Sequence, residues 1–329
     1  MAAKLTIIGG GAWGSTLAQV LTDNEHEVLI YDNNLKYIEK INNRQHPFFD
    51  VALSSKITAT NSLEKALSYS EYIFLCIPAQ NMRSLFKEIN KNLHLSKNFV
   101  NLSKGIEYGS NKIIFQIIQE EIDKDKIKNY ASLFGPSHAE EVIYKKITFL
   151  TISSLCQNFA FEIANFFSNK DYFKVFVSQT QDIVGFEICV SLKNVFALIS
   201  GILDDDSFGT NARAAFITFS ISEMRLFLNL FNVSFDTMLS LVGIGDLIVT
   251  AFNNNSRNYQ AGQKIILGQT IEDISQQNNQ IIEGIYNLKV FYNLSLQNKM
   301  NLPIIESAYK VIFEKKPISL ILESIFSKK

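Results

Sequence analysis

Residues 5–21 read Leu-Thr-Ile-Ile-Gly-Gly-Gly-Ala-Trp-Gly-Ser-Thr-Leu-Ala-Gln-Val-Leu, an apolar run followed by a glycine-rich turn and a helical pattern. Gly9, Gly11 and Gly14 have the spacing G-x-G-x-x-G. The first glycine permits a tight turn, the second lets backbone approach a pyrophosphate, and the third lets the helix pack closely against the strand. Because N–H groups at the start of a helix attract an anion, this stretch predicts a dinucleotide-binding turn.

An acid follows the second apolar strand pattern, at about the twenty-residue distance expected for a ribose contact. The pattern spans Glu27–Tyr31 and ends immediately before Asp32. A carboxylate at this place accepts hydrogen bonds from the ribose hydroxyls of NAD but repels the 2′-phosphate of NADP. Since Asn33 and Asn34 are uncharged and Lys36 is more distant, we expect NADH to be preferred over NADPH.

The first half of the chain alternates strand patterns with helical patterns, which is typical of a doubly wound sheet. Eight strand patterns lie at residues 5–8, 28–31, 57–59, 72–77, 99–102, 131–134, 148–153 and 173–177. Convincing strand patterns end near Val177, and helical patterns run from a possible capping box at residues 178–181 to the C-terminus. The predicted fold is therefore α/β, with a dinucleotide-binding domain at residues 1–178 and an all-helical domain at residues 179–329.

Composition limits the kinds of partner that the chain is expected to have. The 329 residues are 47% hydrophobic and 19% charged, with a formal net charge of −1, so we expect no general attraction to nucleic acids. No apolar run approaches the roughly 20 residues that span a bilayer, and no basic segment precedes the first apolar run. We therefore expect a cytoplasmic protein that does not insert into membranes.

The cysteines and histidines predict neither a disulfide framework nor a metal site. Cys76, Cys156 and Cys189 are widely spaced and lie in apolar stretches, which favours core thiols. None of the four histidines stands at a metal-binding spacing from another. We expect no bound metal.

Three loops follow predicted strands and are expected to meet where the carboxyl ends of the strands face the cofactor, at residues 78–80, 103–105 and 135–137. Lys104 brings a cation to this edge, although an exposed lysine in an ordinary turn has the same pattern. Gly135 allows backbone to approach a ligand, and Ser137 offers a hydroxyl group. For His138 we favour a solvent-facing helix start over an acid–base role, because no carboxylate or serine is placed to orient it.

A single lysine interrupts the apolar helical pattern of residues 184–202. Burying Lys193 is costly without a partner, but small side chains one turn away, at Cys189 and Ala197, leave room for a ligand. Burial lowers the pKa of a lysine towards neutrality, where the amine exchanges a proton with a substrate oxygen. The alternative is a lysine at the edge of the helix whose ammonium reaches solvent.

Two further segments offer groups that suit a small anionic substrate. Asp246 lies in the glycine turn 243–247, and Ser256, Arg257 and Asn258 follow in an asparagine-rich stretch. The planar guanidinium suits a phosphate or carboxylate, while the serine and asparagine can orient a polyol. The alternatives are a turn or helix cap for Asp246 and a solvated loop for residues 256–258.

In order and spacing, residues 9–18, 103–107, 135–142, 192–197, 209–215, 243–250 and 256–258 resemble those of the NAD(P)-dependent glycerol-3-phosphate dehydrogenase family. The resemblance covers essentially the whole chain. It implies an N-terminal Rossmann domain followed by an all-α domain, as in 6-phosphogluconate-dehydrogenase-like proteins. It also implies a homodimer that reversibly reduces dihydroxyacetone phosphate to sn-glycerol 3-phosphate for glycerophospholipid synthesis, by hydride transfer from NAD(P)H and without a metal.

The resemblance assigns roles to individual residues. Lys193 corresponds to the family's catalytic lysine, the proton donor to the ketone oxygen or the acceptor from the alcohol. The residues implied to hold the substrate are Lys104, Gly135, Ser137, Lys193, Asp246, Ser256, Arg257 and Asn258. The residues implied to contact the cofactor are Gly9, Gly11, Ala12, Trp13, Gly14, Asp32, Asn33, Lys104, Ala139, Arg257, Ile281 and Glu283.

Two segments depart from the family pattern. Residues 203–208 include Asp204, Asp205 and Asp206 where the family is glycine-rich, which adds negative charge near an anionic substrate and is expected to weaken its binding. Residues 217–220 lack the arginine and glycine that the family commonly places there. The alternative functions are a related dehydrogenase acting on another hydroxy acid or ketone, and a dinucleotide sensor without turnover. The combination of Lys104, Lys193 and residues 256–258 argues against both.

Overall fold

An eight-stranded sheet forms the centre of the first of two units in this computed structural model, which describes residues 2–204, 209–277 and 282–326. The first unit comprises Met1–Ser103 with Ile114–Ile183, and the second comprises Lys104–Ile113 with Val184–Lys329. The short segment Lys104–Ile113 therefore groups with the helical part of the chain. The domain boundary between residues 178 and 179 stays a prediction.

All eight predicted strands are present, most of them with shifted ends. They are β1 (Lys4–Ile8), β2 (Glu27–Tyr31), β3 (Ile57–Thr60), β4 (Tyr72–Leu75), β5 (Lys97–Asn101), β6 (Ile127–Phe134), β7 (Thr148–Ser154) and β8 (Phe173–Val177). Their order across the sheet is β3-β2-β1-β4-β5-β6-β7-β8. The pairs from β3 to β6 are parallel, whereas β7 pairs antiparallel with β6 and parallel with β8. The predicted doubly wound α/β fold is confirmed.

Helices cover both faces of the sheet. In the first unit they are α1 (Ala12–Asp23), α2 (Leu35–Asn42), α3 (Leu63–Tyr69), α4 (Met82–Asn92), α5 (Ile114–Glu121), α6 (Ala139–Val142) and α7 (Gln157–Phe167). Because successive side chains of a strand point to opposite faces, Ile7 and Ile8 of β1 belong to different cores. Ile7 lies in the core that includes residues of α1 and α7, and Ile8 in the core that includes residues of α3, α4 and α5. Burial on both faces explains why the strands read as continuous apolar runs.

The glycine turn follows the strand at which the order of the sheet reverses. β1 lies between β2 and β4. β2 and β3 lie on one side of β1, and β4 and the later strands lie on the other. In open α/β sheets, ligands bind outside the carboxyl ends of the strands at such a switch point. The topology therefore places residues 9–14 at the expected ligand crevice of the first unit.

The second unit is built from helices. They are α8 (Ile183–Ile202), α9 (Gly209–Leu230), α10 (Phe235–Met238), α11 (Asp246–Ala251), α12 (Arg257–Ile266), α13 (Ile271–Gln277), α14 (Glu283–Gln297), α15 (Pro303–Phe313) and α16 (Ser319–Phe326). Extended pairing in the described residues of this unit is limited to an isolated bridge between Ile106 and Ile113. The all-helical prediction for the C-terminal part is confirmed.

The longest apolar helix corrects one expectation about membranes. α8 has 20 residues and is long and apolar enough to cross a bilayer, contrary to the expectation that no apolar run approaches that length. The charged residues Glu187 and Lys193 divide its apolar sequence, although the helix continues through both. Because 94% of its most apolar window is buried inside the structure, α8 has the burial of a core helix, and its length and composition are weak evidence for a membrane span.

Two smaller expectations also change. The capping box at residues 178–181 is wrong, because α8 begins at Ile183 and Gln181 has a φ of +51°, outside the helical region. Of the three thiols, Cys189 is fully buried, whereas Cys76 and Cys156 are half-buried and pack against the core that contains Ile7.

Candidate active site

The three glycines of the turn serve different purposes. Gly9 has a φ of +113°, and a Cβ atom there would lie 2.3 Å from the carbonyl oxygen of Cys76, just after β4. A Cβ atom on Gly14 would lie 1.9 Å from the carbonyl oxygen of Gly9, so close packing of α1 on the turn requires that glycine. At Gly11, by contrast, a Cβ atom would meet nothing within 4 Å. This open space at the N-terminus of α1 is where a pyrophosphate would need backbone without side chains.

Backbone N–H groups hold the Asp32 carboxylate beside this turn. The N–H of Gly10 donates to Oδ2 at 2.6 Å, and the N–H of Asn34 donates to Oδ1 at 2.7 Å. The half-buried carboxylate therefore has a fixed orientation at the end of β2. Asn33 is exposed, and its Oδ1 accepts a hydrogen bond from the hydroxyl group of Tyr31 at 2.7 Å.

Other predicted residues of the first unit lie at the start of α1 and after β6. Ala12 and Trp13 open α1, and the half-buried Trp13 packs against the core that contains Ile7. Gly135 has a φ of +155°, which L side chains rarely adopt, and a Cβ atom there would lie 3.0 Å from the carbonyl oxygen of Phe149 on β7. The Ser137 hydroxyl donates to the carbonyl oxygen of Gly135 at 3.1 Å. The half-buried His138 directly precedes α6, which Ala139 opens.

In the second unit, Lys193 is buried in the middle of α8 with 4% of its surface exposed. Its ammonium donates to Asp246 Oδ1 at 3.0 Å and to Thr250 Oγ1 at 2.7 Å. The alternative of a lysine that extends to solvent is therefore wrong. The apolar helix buries the amine, and the partners that compensate for burial come from α11.

The Asp246 carboxylate accepts hydrogen bonds from two lysines. Asp246 is 1% exposed and opens α11 after a π-helical turn, Leu241–Gly245. Its Oδ2 accepts from Lys104 Nζ at 2.7 Å, and the Lys104 side chain is 19% exposed. The carboxylate thus bridges two ammonium groups, which neither a simple turn nor an ordinary exposed lysine explains.

Lys193, Asp246 and Lys104 form a cluster, in which the pKa of Lys193 is lowered to about 7. Burial lowers the pKa most, the Asp246 carboxylate raises it, and the Lys104 ammonium lowers it. Burial alone would raise the pKa of Asp246, but the charges of Lys104 and Lys193 outweigh burial and hold that pKa below its usual value. An amine with a pKa near neutrality is suited to exchange protons with a substrate.

Residues 256–258 form the start of a helix rather than a solvated loop. Ser256 is buried and caps α12, since its Oγ accepts from the N–H of Tyr259 at 3.3 Å. Arg257 is the first residue of α12 and is exposed. Asn258 donates through Nδ2 to Asn194 Oδ1 at 3.0 Å and accepts at Oδ1 from the N–H of Gly284 at 2.8 Å. The start of α12 is thereby bonded to the residue next to Lys193.

The start of α14 packs directly on α8. Glu283 opens α14, and a Cβ atom on Gly284 would lie 2.6 Å from the carbonyl oxygen of Asn194. The backbone N–H of Gly284 can therefore reach Asn258 only because the position carries no side chain. The predicted cofactor contact Ile281 lies outside the described residues.

The acidic departure from the family pattern is partly neutralised. Asp204 accepts from Arg213 Nη1 at 3.0 Å and from Gln263 Nε2 at 2.7 Å, and Arg213 Nη2 donates to the hydroxyl group of Tyr259 at 2.8 Å. The charge of Asp204 is therefore paired, whereas residues 205–208 lie outside the described residues. In the second departure, Phe219 is a half-buried residue of α9.

Sequence reasoning missed two residues that bond to the cluster around Lys193 or lie next to that lysine. Thr250 stands four residues after Asp246 on α11, and this i, i+4 spacing was the available signal. Asn194 follows Lys193 directly and is likewise buried in an apolar helix. A polar residue there indicates a specific partner, but its partner at position 258 is 64 residues away along the chain. Among the described residues, no three His, Cys, Asp or Glu side chains cluster as a metal site.

Two features together define a class of protein. The first is a Rossmann unit with an open glycine turn and an oriented acid, and the second is a helical unit with a buried lysine of near-neutral pKa. That class is the two-domain nicotinamide-dependent dehydrogenases. Sequence comparison identifies the particular family. The family models described as NAD-dependent glycerol-3-phosphate dehydrogenase N-terminus and C-terminus match residues 4–160 and 182–323. The chain belongs to the NAD-dependent glycerol-3-phosphate dehydrogenase family.

Individual relatives agree with this membership over the full length. A protein of Phytoplasma mali named glycerol-3-phosphate dehydrogenase (NAD(P)+) is 51% identical over 325 residues, covering 99% of this chain and 97% of that one. A protein of the same name from Staphylococcus haemolyticus is 35% identical, covering 96% and 95%. The crystal structure of glycerol-3-phosphate dehydrogenase from Coxiella burnetii has a TM-score of 0.90 at 24% identity, covering 99% of both chains, and thus shares the fold.

Proposed function

We propose that the chain reversibly reduces dihydroxyacetone phosphate to sn-glycerol 3-phosphate with NAD(P)H. The observation that carries the proposal is the buried Lys193, whose pKa of about 7 is set by burial, by Asp246 and by Lys104. Membership of the family supplies the reaction, and the cluster supplies the group that the reaction needs. From the family resemblance, we also propose that the product supplies glycerophospholipid synthesis.

The first unit fits a dinucleotide. The space above Gly11 admits a pyrophosphate, and the first-turn N–H groups of α1 together with the helix dipole would hold it. Asp32 would accept from the ribose, with Asn33 beside it, and Trp13 and Ala139 are further proposed contacts. When bound, the nicotinamide ring supplies the hydride.

Lys193 is the proposed acid in ketone reduction. Its ammonium would donate a proton to the ketone oxygen as negative charge develops there, and its neutral amine would accept that proton in alcohol oxidation. Reduction therefore needs the protonated form and should slow as the pH rises through the pKa of Lys193, about 7. Oxidation needs the neutral form and should accelerate over the same range. The Asp246 carboxylate raises the pKa of the amine against the effect of burial, and Thr250 accepts a second hydrogen bond from it.

The start of α12 is the proposed phosphate site. The exposed Arg257 offers a guanidinium, and the first-turn N–H groups of this ten-residue helix offer further donors. The side-chain amide of Asn258 already bonds Asn194 and Gly284. We therefore assign the contribution of Asn258 mainly to its backbone N–H. Ser256 supports the site as the helix cap. Gly135 and Ser137 of the first unit stay proposed substrate contacts, and Glu283 stays a proposed cofactor contact.

We further propose a preference for NADH. Two backbone N–H groups orient the Asp32 carboxylate, and a carboxylate there disfavours a 2′-phosphate beside it. The ratio of kcat/KM for NADH and NADPH tests this, and a higher value for NADPH contradicts it. From the family resemblance we also propose a homodimer. From the composition and apolar pattern of the sequence we propose a cytoplasmic protein that neither inserts into membranes nor binds nucleic acid. Light scattering of the purified protein tests the dimer.

The experiment that tests the activity follows NADH absorbance with purified protein. The proposal predicts oxidation that depends on dihydroxyacetone phosphate and is lost with unphosphorylated dihydroxyacetone. Faster turnover of another ketone or hydroxy acid would favour a related dehydrogenase. NADH binding without turnover of any substrate would favour a sensor.

A further inference from the structure

One buried side chain bonds to both chain segments that carry the two lysines of the cluster. Asn287 of α14 is fully buried. Its Nδ2 donates to the carbonyl oxygen of Ser191 at 2.9 Å, on α8 and two residues before Lys193. Its Oδ1 accepts from the backbone N–H of Ile106 at 3.4 Å, two residues after Lys104. The second bond is long, but it joins α14 to the segment that carries Lys104.

Asn287 is a polar residue at a fully buried position, which indicates a specific role for its hydrogen bonds. An amide buried among apolar side chains costs free energy unless it is hydrogen-bonded, and a leucine of similar size would bury without that cost. The neighbours of Asn287 along α14 include the buried Leu288, Val290 and Phe291. The polar residue is thus an exception within an apolar surface of the helix, and the groups it bonds are the backbones beside the two lysines.

The segment Lys104–Ile113 has a defined shape that can transmit this restraint. The backbone N–H of Glu107 donates to the carbonyl oxygen of Lys112 at 2.9 Å, next to the bridge between Ile106 and Ile113. α14 contacts the segment a second time, because the Lys289 ammonium lies 5.7 Å from the ring centre of Tyr108. The Lys289 ammonium lies nearer the ring of Phe313, at 4.6 Å, so the connection rests on the hydrogen bond of Asn287 to Ile106.

We propose that Asn287 is a positioning residue that keeps the Lys104 ammonium on Asp246, beside the amine of Lys193. The inference rests on the proposed function only in that Lys193 is the group that exchanges the proton. The charged groups that act on Lys193 are Asp246, from α11, and Lys104. Asn287 contacts neither the amine nor the carboxylate.

The direction of the effect follows from the charges. The Lys104 ammonium lowers the pKa of Lys193. If the segment loosens, Lys104 moves away from the cluster and the pKa of Lys193 rises. Ketone reduction then persists to higher pH. Removal of one nearby like charge is expected to raise the pKa by about one unit.

The test compares Asn287→Leu, Lys104→Met, the double variant, and Asn293→Leu at an exposed position of the same helix. Two readouts report the pKa of Lys193: the pH profile of kcat/KM for reduction, and competitive acetylation of Lys193 quantified by mass spectrometry. Acetylation needs no turnover, so an inactive enzyme would count against the proposed function and still leave the pKa measurable.

The proposal predicts a rise of about one unit for Asn287→Leu and for Lys104→Met, no further rise in the double variant, and no change for Asn293→Leu. Asn287→Thr, which keeps a hydroxyl donor, serves if the leucine variant fails to fold, and should give a smaller rise. A wild-type pKa in the Asn287 variants beside a raised pKa in Lys104→Met would overturn the proposal. So would shifts that add in the double variant.

Discussion

Replacing Asp246 by asparagine removes the charge that two lysines share while keeping the shape of the side chain. Asp246 lies 3.0 Å from the Lys193 amine and is 1% exposed, so solvent screens the interaction little. An opposite charge at such a distance shifts a pKa by about 1–3 units. Starting from about 7, the pKa of Lys193 should fall to about 4–6 in the variant.

The loss of activity follows from the protonated fraction of Lys193. At pH 7 this fraction drops from about a half to about a tenth for a shift of one unit, and to about a thousandth for three. Reduction of dihydroxyacetone phosphate should therefore slow by about 5-fold to 500-fold at that pH. The direction of the pKa shift can be tested directly, because part of the lost activity should return when the pH is lowered.

The assay is kcat/KM for NADH-dependent reduction of dihydroxyacetone phosphate, measured from about pH 5.5 to pH 9 for the wild type and the variant. Asp236→Asn, at an exposed acid of the same unit, is the matched control and should leave the profile unchanged. Thermal unfolding of Asp246→Asn should also be followed, since loss of one partner of a buried ion pair costs about 3–5 kcal/mol. The reasoning is refuted if a folded Asp246→Asn enzyme loses activity at the same pH as the wild type, or at a higher one.

Further substitutions probe the other parts of the account. Gly11→Ala should fold normally but raise KM for NADH, because its methyl group enters open space, whereas Gly14→Ala should lower the melting temperature by forcing a methyl group to 1.9 Å from a carbonyl oxygen. Asp32→Ser should raise kcat/KM with NADPH relative to NADH, and an unchanged ratio would count against the proposed ribose contact. Glu223→Gln should reduce the free energy of unfolding by about 1–3 kcal/mol in urea titrations, because the buried carboxylate accepts from two N–H groups at the start of α15.

Much of the fold could be predicted because its signals are local. The strand ending at Ile8, the glycine spacing and the acid at position 32 all lie within about thirty consecutive residues, the length of a βαβ unit. The direction of β7 could not be predicted, because pairing next to β6 depends on the path of the chain and not on the apolar pattern of the strand. The capping box at residues 178–181 failed because Gln181 adopts a left-handed conformation that its identity does not demand.

The candidate site could be predicted as a set of residues but not as an arrangement. The apolar context indicated Lys193, and the glycines of the turn 243–247 indicated Asp246. The bond between them spans 53 residues, and the bond from Lys104 to Asp246 spans 142. Contacts at such separations depend on tertiary packing, which no local pattern records. Ser256 shows the opposite case, since a serine before a helical pattern is an ordinary N-cap signal that the asparagine-rich surroundings obscured.

The most direct test of the central claim is kcat for the reduction of dihydroxyacetone phosphate by Lys193→Met, with Lys316→Met at an exposed position as the control. Lys104 still neutralises Asp246 in the Lys193 variant, so the protein should fold and bind NADH as the wild type does. The account predicts that kcat falls by about 10²–10⁴-fold while the dissociation constant for NADH is unchanged. A folded Lys193→Met enzyme with kcat within about threefold of the wild type would contradict the assignment of Lys193 as the proton donor.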